Sequence, residues 1–288
     1  MSDVLLLRNI PALRAKVLAW RAAGESIALV PTMGALHAGH LGLMTLARQH
    51  VRRVLVSIFV NPAQFAPGED LSKYPRPFAD DLEKLRVQGV DGLFAPEAGA
   101  MYPPGFCSGI EIAGPAKAGL EDRFRPSHFG GVATVVGKLL NMAQPDVAVF
   151  GEKDFQQLMV VTRMVADLDM AVKIIGAPTT READGLALSS RNVFLSDAER
   201  ARAPQLHGVL QACGRGIAAG EAVDDVLAAG LVRLAGAGFV TDYLELRQAE
   251  GLGPVPHGNR DVQRLLVAAR LGTTRLIDNI AVPGALPL

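Results

Sequence analysis

The stretch that most limits how this chain can fold is Ile27 to Leu41, where a short apolar run, Ile27-Ala28-Leu29-Val30, gives way at once to PTMGALHAGHL. Four consecutive apolar residues are what a parallel strand shows when helices cover both its faces. Pro31 has no N–H to donate and is expected to end the ladder. Thr32, Gly34 and Gly39 then give a small-residue path into a helix from about Ala38 through Leu43, Leu46 and Ala47. Strand, tight turn and helix make one unit of an α/β sheet, and the helix start presents free N–H groups to an anion such as phosphate. His37 and His40, three residues apart, are placed on one face of the first helical turn, where both rings reach a phosphoryl group. Gly39 leaves room for a nucleotide to approach the backbone. The spacing alone also fits capping or surface histidines, or a metal pair completed by a third ligand elsewhere.

The same grammar repeats along the chain. Leu13, Val17, Leu18 and Trp20 give Ile10 to Ala23 helical spacing, closed by Gly24. Val54 to Val60 reads as a second buried strand broken by Asn61-Pro62, Phe78 to Val87 as a helix, and Gly92 to Phe94 as a short strand. Gly109 to Ile112 is expected to be another short strand, followed by a long functional loop over Leu120 to Gly131 carrying Arg125 and His128. A helix over Ala133 to Met142 and a strand over Val147 to Phe150 lead into GEKDFQQL, where strand, turn and helix repeat, with the helix from Phe155 to Ala166. In an open parallel sheet, ligands collect beyond the carboxyl ends of strands near the reversal of strand order, and PTMG and NPAQF both fall at such ends.

After the strand Lys173 to Ile175 the texture changes to PTTREADGLALSSRN, which marks a boundary between residues 1–176 and 177–288. Ser196 to Glu199 has the form of a capping box opening a helix through Leu206 and Leu210. Val223 to Leu234 is a second helix, Phe239 to Leu246 alternates as a strand, and Arg264 to Arg270 with Leu276-Ile277 completes a small unit. The expected fold is α/β: a Rossmann-like, doubly wound parallel sheet with a smaller C-terminal α+β domain covering the site.

Composition excludes several classes. With hydrophobic residues at 49%, charged residues at 20%, and Lys+Arg and Asp+Glu both at 29, nothing suggests disorder or a broad basic nucleic-acid surface. Cys107 and Cys213 form no CxxC pair, so a reducing, cytoplasmic setting is expected, with no membrane span. No metal cage is evident.

The strings PTMGALHAGHL, FVNPAQF, YPR, RPSHFGGVATVV, GEKDFQQ and LSSRN occur in that order, and RLIDN follows at Arg275 to Asn279. HAGH resembles the HxGH signature of nucleotidyltransferases, and the whole series is similar to the pantothenate synthetase family of that superfamily. The resemblance implies ATP-dependent joining of pantoate to β-alanine through a pantoyl adenylate, with ATP arriving as its Mg²⁺ complex and no tightly bound cofactor. It implies His40 as proton donor to the leaving group, with His37, Lys153 and Arg191 beside it. The implied ATP-binding set spans Met33, Gly34, His37, Gly39 and His40 in the first turn, Gly151, Glu152, Lys153 and Asp154 in the second, and Thr180 with Leu188, Ser189, Ser190 and Arg191 beyond. Gln64 and Gln157 are implied to hold pantoate, with Asn61 and Arg125 nearby, and Tyr74, Asp80, Glu121 and His128 surround the site. It further implies a homodimer that meets small molecules and no nucleic acid. The chain departs from the family pattern at Leu188 (for Met), at QFAP over Gln64 to Pro67 (for QFGP), and at Leu120-Glu121-Asp122 (for LEG).

Charge development fits this set. Attack of a carboxylate on an α-phosphate builds negative charge on the departing pyrophosphate, which calls for fixed cations and N–H donors. The rival readings are another HxGH nucleotidyltransferase, opposed by FVNPAQF and KDFQQ; a tRNA-binding class I synthetase, opposed by the zero net charge; and a catalytically dead nucleotide binder, opposed by intact His37, His40, Lys153 and Arg191.

Overall fold

The computed structural model describes residues 3–65, 70–72, 74–256 and 261–282. The QFAP departure at Ala66 and Pro67 lies outside them.

In chain order the elements are β1 (Leu5–Leu7), α1 (Ile10–Ala22), β2 (Ile27–Thr32), α2 (Ala38–His50), β3 (Arg53–Ile58), α3 (Phe78–Val87), β4 (Gly92–Phe94), α4 (Ala98–Met101), α5 (Glu121–Phe124) and α6 (His128–Ala143). They continue with β5 (Val147–Gly151), α7 (Phe155–Asp167), β6 (Lys173–Ala177), α8 (Asp197–Arg202), α9 (Gln205–Ala218), α10 (Val223–Gly236), β7 (Phe239–Gln248), β8 (Gln263–Leu271) and β9 (Thr274–Val282). The first six strands form a parallel sheet in the order β1-β4-β3-β2-β5-β6, and the last three an antiparallel sheet in the order β7-β8-β9.

The apolar run of β2 serves two cores at once, as the period of a strand requires. Ile27 and Leu29 pack with Leu13, Val17 and Trp20 of α1, Val136 and Leu140 of α6 and Leu158 of α7. Ala28 and Val30 pack on the opposite face with Met44 and Ala47 of α2 and Leu85 of α3. A separate core joins β8 and β9 to α9 and α10 through Leu210, Ile217, Leu234, Leu265 and Val267. This is the expected doubly wound sheet with a smaller α+β unit. The chain builds β2, β3 and β4 outward on one side and returns to place β5 against β2, so strand order reverses between those two.

Several local expectations are corrected. Pro31 does not end the ladder: β2 stays in register with β3 through Pro31↔Ser57 and Thr32↔Ile58. Its missing N–H is tolerated because the pairing with β5 is confined to Ala28 and Leu29. Gly109 to Ile112 is not a strand; the Ile110 N–H donates to Thr134 Oγ1 at 2.9 Å instead of to a neighbouring strand. The long loop over Leu120 to Gly131 is in fact α5 and the start of α6. Its paired glycines look like breakers, but Gly131 sits inside the helix because a Cβ there would lie 2.2 Å from the Ala63 carbonyl oxygen: the helix needs no side chain where it meets the NPAQ turn. Ser196 and Glu199 form the expected capping box, yet the helix stops at Arg202 and a new one starts at Gln205, with Pro204 at the junction. Strand β1, paired parallel to β4, carries too little sequence signal to be expected, being three residues long and half exposed at the sheet edge.

Candidate active site

The first corner of the site is the turn between β2 and α2. Gly34 and Ala35 both take positive φ, +81° and +50°, which a glycine accepts freely and an alanine only under constraint. The constraint is Asp81, buried in the first turn of α3: its Oδ2 accepts the Ala35 N–H at 2.8 Å and its Oδ1 the Leu36 N–H at 2.7 Å. Lys84, one turn along the same helix, donates Nζ to the Leu36 carbonyl at 2.8 Å. So held, the chain enters α2 with His37 at the N-cap and His40 on the third helical residue. Their rings meet at 4.1 Å between centroids, tilted 36° to each other.

The capping reading and the cleft reading are both realised. His40 Nδ1 accepts the His37 backbone N–H at 3.3 Å, while both rings line the cleft. With its Nδ1 lone pair used in this way, a neutral His40 carries its proton on Nε2. His37 Nδ1 is buried with no hydrogen-bond partner. Burial pushes the pKa of His37 down to about 4, helped by the nearby Lys153. Burial takes His40 to about 3, helped by His37 and then Lys153. Both imidazoles are therefore neutral at neutral pH. Beside Gly39 stands the His37 ring, whose Cε1 would lie 2.9 Å from a Cβ at that position, so the glycine makes room for that histidine while itself lining the cavity.

The end of β3 supplies the second wall. Gln64 is buried, with Nε2 3.2 Å from Met33 Sδ, and its Oε1 accepts from Asn61 Nδ2 at 3.1 Å. Asn61 is engaged throughout: Nδ2 also donates to the Gly131 carbonyl at 3.1 Å, and Oδ1 accepts from Tyr102 Oη at 2.7 Å and the Ala63 N–H at 3.3 Å. Burial pushes the Tyr102 phenol up to about 12, so it stays a donor. Arg125 Nη2 and His128 Nδ1 both contact the Gln64 carbonyl, at 3.3 and 2.9 Å.

The third wall comes from β5 and the segment after β6. Gly151 ends β5, a single turn over Glu152–Asp154 follows, and Lys153, Asp154 and Gln157 line the cleft. Thr180 and Leu188 meet through a Leu188 N–H to Thr180 carbonyl bond of 3.0 Å, which uses one of the two lone pairs of that carbonyl. Ser189 caps the short turn Ser190–Phe194 by accepting the Arg191 N–H at 3.2 Å, and Tyr74 Oη lies 3.2 Å from Ser190 Oγ.

These walls enclose two adjoining cavities of about 220 and 790 Å³ that share Arg125, His128, Lys153, Asp154, Gln157, Ser189 and Arg191. The smaller one contains the histidines and Gln64; the larger extends to β8 and β9, with Arg270 and Arg275 on its rim. Of the expected residues, Gly34 and Glu152 do not line either cavity. Gly34 packs behind the turn with its Cα face toward Asp81, and Glu152 Oε2 is paired with Arg264 at 2.9 Å. Asp80 is exposed and its neighbour Asp81 does the holding. Glu121 is more than a partner of Arg125: Arg275 grips it with two bonds of 2.7 Å and Tyr243 Oη donates to it at 2.9 Å. Its neighbour Asp122, a departure from the family pattern, accepts from the Gly119 and Leu120 N–H groups and from Gln156. Sequence reading missed Asp81, Lys84 and Tyr102; inward spacing with Leu85 was the available signal for Asp81. Among the described residues, no group of three or more His, Cys, Asp or Glu is arranged to hold a metal ion, and no helix is long and apolar enough to cross a membrane.

The family model for pantoate-β-alanine ligase matches residues 5–281. A pantothenate synthetase of Rhodopseudomonas palustris is 56% identical over 278 residues, 96% of this chain and 98% of that protein. The crystal structure of pantothenate synthetase from Thermus thermophilus matches with a TM-score of 0.90 at 45% identity, covering 96% of this chain and 99% of that one. A pantoate-β-alanine ligase from Francisella tularensis, complexed with β-γ ATP and β-alanine, matches with a TM-score of 0.81 at 33% identity, covering 96% and 97%.

Proposed function

The chain belongs to the pantoate-β-alanine ligase family, and from that premise we propose that its cleft divides the work of the reaction between a histidine corner, a lysine corner and the LSSR segment. The reaction is the ATP-dependent condensation of pantoate with β-alanine to pantothenate. The pantoate carboxylate attacks the α-phosphorus of ATP and pyrophosphate departs, leaving pantoyl adenylate. The β-alanine amine then attacks the acyl carbon, and AMP leaves with one former carboxylate oxygen.

The observation that carries the assignment is convergence: His37 and His40 from the end of β2, Lys153 from the end of β5 and Arg191 beyond β6 line one cavity beside the reversal of strand order. Lys153 and Arg191 supply positive charge to the polyphosphate. Neutral His40 donates a hydrogen bond from Nε2–H to the departing oxygen, which strengthens as negative charge grows there. Met33, Gly39, Gly151, Asp154, Thr180, Leu188, Ser189 and Ser190 form the surrounding ATP surface, and Gly34 and Glu152 act by shaping its turns. Gln64 and Gln157 hold pantoate as neutral donors and acceptors, which orient a carboxylate without neutralising it. Asn61, its amide already spent on protein partners, acts through Gln64, and Arg125 braces the Gln64 carbonyl.

Mg²⁺ enters as part of the nucleotide substrate. The same reading makes residues 1–176 the nucleotide-binding domain and 177–288 a covering domain, in a cytoplasmic homodimer; sedimentation velocity would expose a monomer. The chemistry is tested by pyrophosphate exchange: pantoate and Mg-ATP alone should exchange labelled pyrophosphate into ATP. With ¹⁸O in the pantoate carboxylate, one label should pass into AMP after β-alanine is added. ADP and phosphate as products, or unlabelled AMP from an active enzyme, would overturn the adenylate.

A further inference from the structure

The RLIDN segment lies on β9, in the C-terminal sheet. Its last residue, Asn279, is buried and reaches across to the other sheet. Asn279 Nδ2 donates to two successive carbonyls, those of Glu152 and Lys153, each at 2.9 Å. The amide is oriented by Arg264 of β8, whose Nε donates to Asn279 Oδ1 at 2.6 Å. The same guanidinium pairs with the Glu152 carboxylate at 2.9 Å and stacks over the Phe155 ring at 4.0 Å. Two carbonyls, one carboxylate and one ring of the same turn are therefore held by two adjacent residues of the other sheet.

We propose that Asn279, oriented by Arg264, is a positioning residue for adenylation that fixes the backbone of the Glu152-Lys153 turn and so aims the Lys153 side chain at the polyphosphate. This rests on the reading of Lys153 as a phosphate-binding residue. Anchoring consecutive carbonyls fixes the peptide planes on both sides of the Lys153 Cα, which sets where its side chain leaves the backbone. The two amides of α7 are placed elsewhere: Gln156 donates to the Pro115 carbonyl and to Asp122 and accepts from the Glu121 N–H, and Gln157 lines the cleft. Asn279→Asp keeps the shape but removes both donors and turns a carboxylate toward two carbonyl oxygens.

The test is a double-mutant cycle on pantoate-dependent pyrophosphate exchange, using wild type, Lys153→Ala, Asn279→Asp and the double variant, with Asn279→Ala replacing Asn279→Asp if the latter does not fold. Asn279→Asp is expected to lower the exchange rate about 10- to 100-fold, the scale of misplacing a catalytic group by an ångström, while the Michaelis constant for pantoate moves less than about twofold. In the Lys153→Ala background the same change should cost almost nothing further. Equal losses in both backgrounds, or a wild-type rate for the Asn279 variants, would overturn the positioning role. Near-wild-type exchange by Lys153→Ala itself would instead sink the underlying assignment of Lys153, and the two failures are thereby told apart.

Discussion

The turns after β2 and β5 lie side by side at the reversal of strand order and have the same strand-turn-helix plan, yet they are held by different parts of the molecule. The β2 turn is held from within its own layer: Asp81 and Lys84 of α3 take two N–H groups and one carbonyl of the Ala35-Leu36 segment. The β5 turn is held from outside, by Asn279 and Arg264 of the C-terminal sheet. The first presents two imidazoles that burial keeps neutral, and the second presents a lysine. The backbone bonds that hold the histidine corner thus come from α3, beside the six-stranded sheet, whereas those that hold the lysine corner come from the second sheet and depend on its docking correctly. Damage to the C-terminal sheet should reach Lys153 before it reaches the histidines.

The largest expected effect comes from removing the histidine corner's chemistry. His40→Ala should keep the fold and lower the rate of pyrophosphate exchange by about two to four orders of magnitude, the range for losing a positioned donor to a developing negative charge. His37→Ala should behave similarly. Near-native turnover in either would leave the lysine corner as the only chemical half of the pair.

Next in size is the loss of the support behind that corner. Asp81→Ala leaves the Ala35 and Leu36 N–H groups without their acceptor, and each buried unsatisfied group costs about 1–3 kcal/mol. Urea unfolding should show a loss of roughly 2–4 kcal/mol. Asn279→Ala, which removes one donor from each of two carbonyls, that of Lys153 belonging to a residue that lines the larger cavity, should cost less. If the two variants were equally destabilised, the inside-outside contrast between the corners would be wrong.

Much of this contrast is hidden in the sequence for a physical reason. The doubly wound sheet is legible because β2, β3 and β5 are continuous apolar runs with turn residues at their ends, and periodicity reports burial on both faces. The side chains that line the cleft are legible as strings, since HAGH, GEKD and LSSR each sit at one turn. Their supports are not. Asp81 looks like an ordinary first-turn acid of an amphipathic helix, and Asn279 like an ordinary strand residue; only the crossing of chain segments 45 and 127 residues apart gives them partners. Gly131 misleads for the complementary reason: glycine usually marks a break, and here it marks a close approach.

Gln64 belongs to neither corner, which makes it a control on both. Gln64→Ala should raise the Michaelis constant for pantoate by about 10- to 100-fold, as expected for hydrogen bonds to a charged ligand, and leave that for ATP nearly unchanged. Steady-state kinetics with each substrate varied in turn will separate the two. A shift in the ATP constant alone would move Gln64 to the nucleotide side.

The smallest effect distinguishes the corners by protons. Because the pKa values of His37 and His40 are lowered to about 4 and about 3 in the fold, the unfolded chain binds protons near pH 6.5 that the folded one refuses. Their contribution to stability is therefore fully present above about pH 6.5 and is lost as the pH falls toward 4 and then 3. A polyphosphate in the cleft works the other way, since negative charge beside an imidazole raises its pKa. Binding of Mg-ATP near pH 5.5 should then draw protons onto the histidine corner, a fraction of one up to about two per site. Calorimetric titration in buffers of different ionisation enthalpy measures that number. It should fall in a His37→Asn/His40→Asn variant and persist in Lys153→Ala, because the lysine corner contributes charge and not the titrating group. The same proton count in wild type and the double histidine variant would show that the imidazoles do not sense the phosphates, and the division between the corners would fail at its central point.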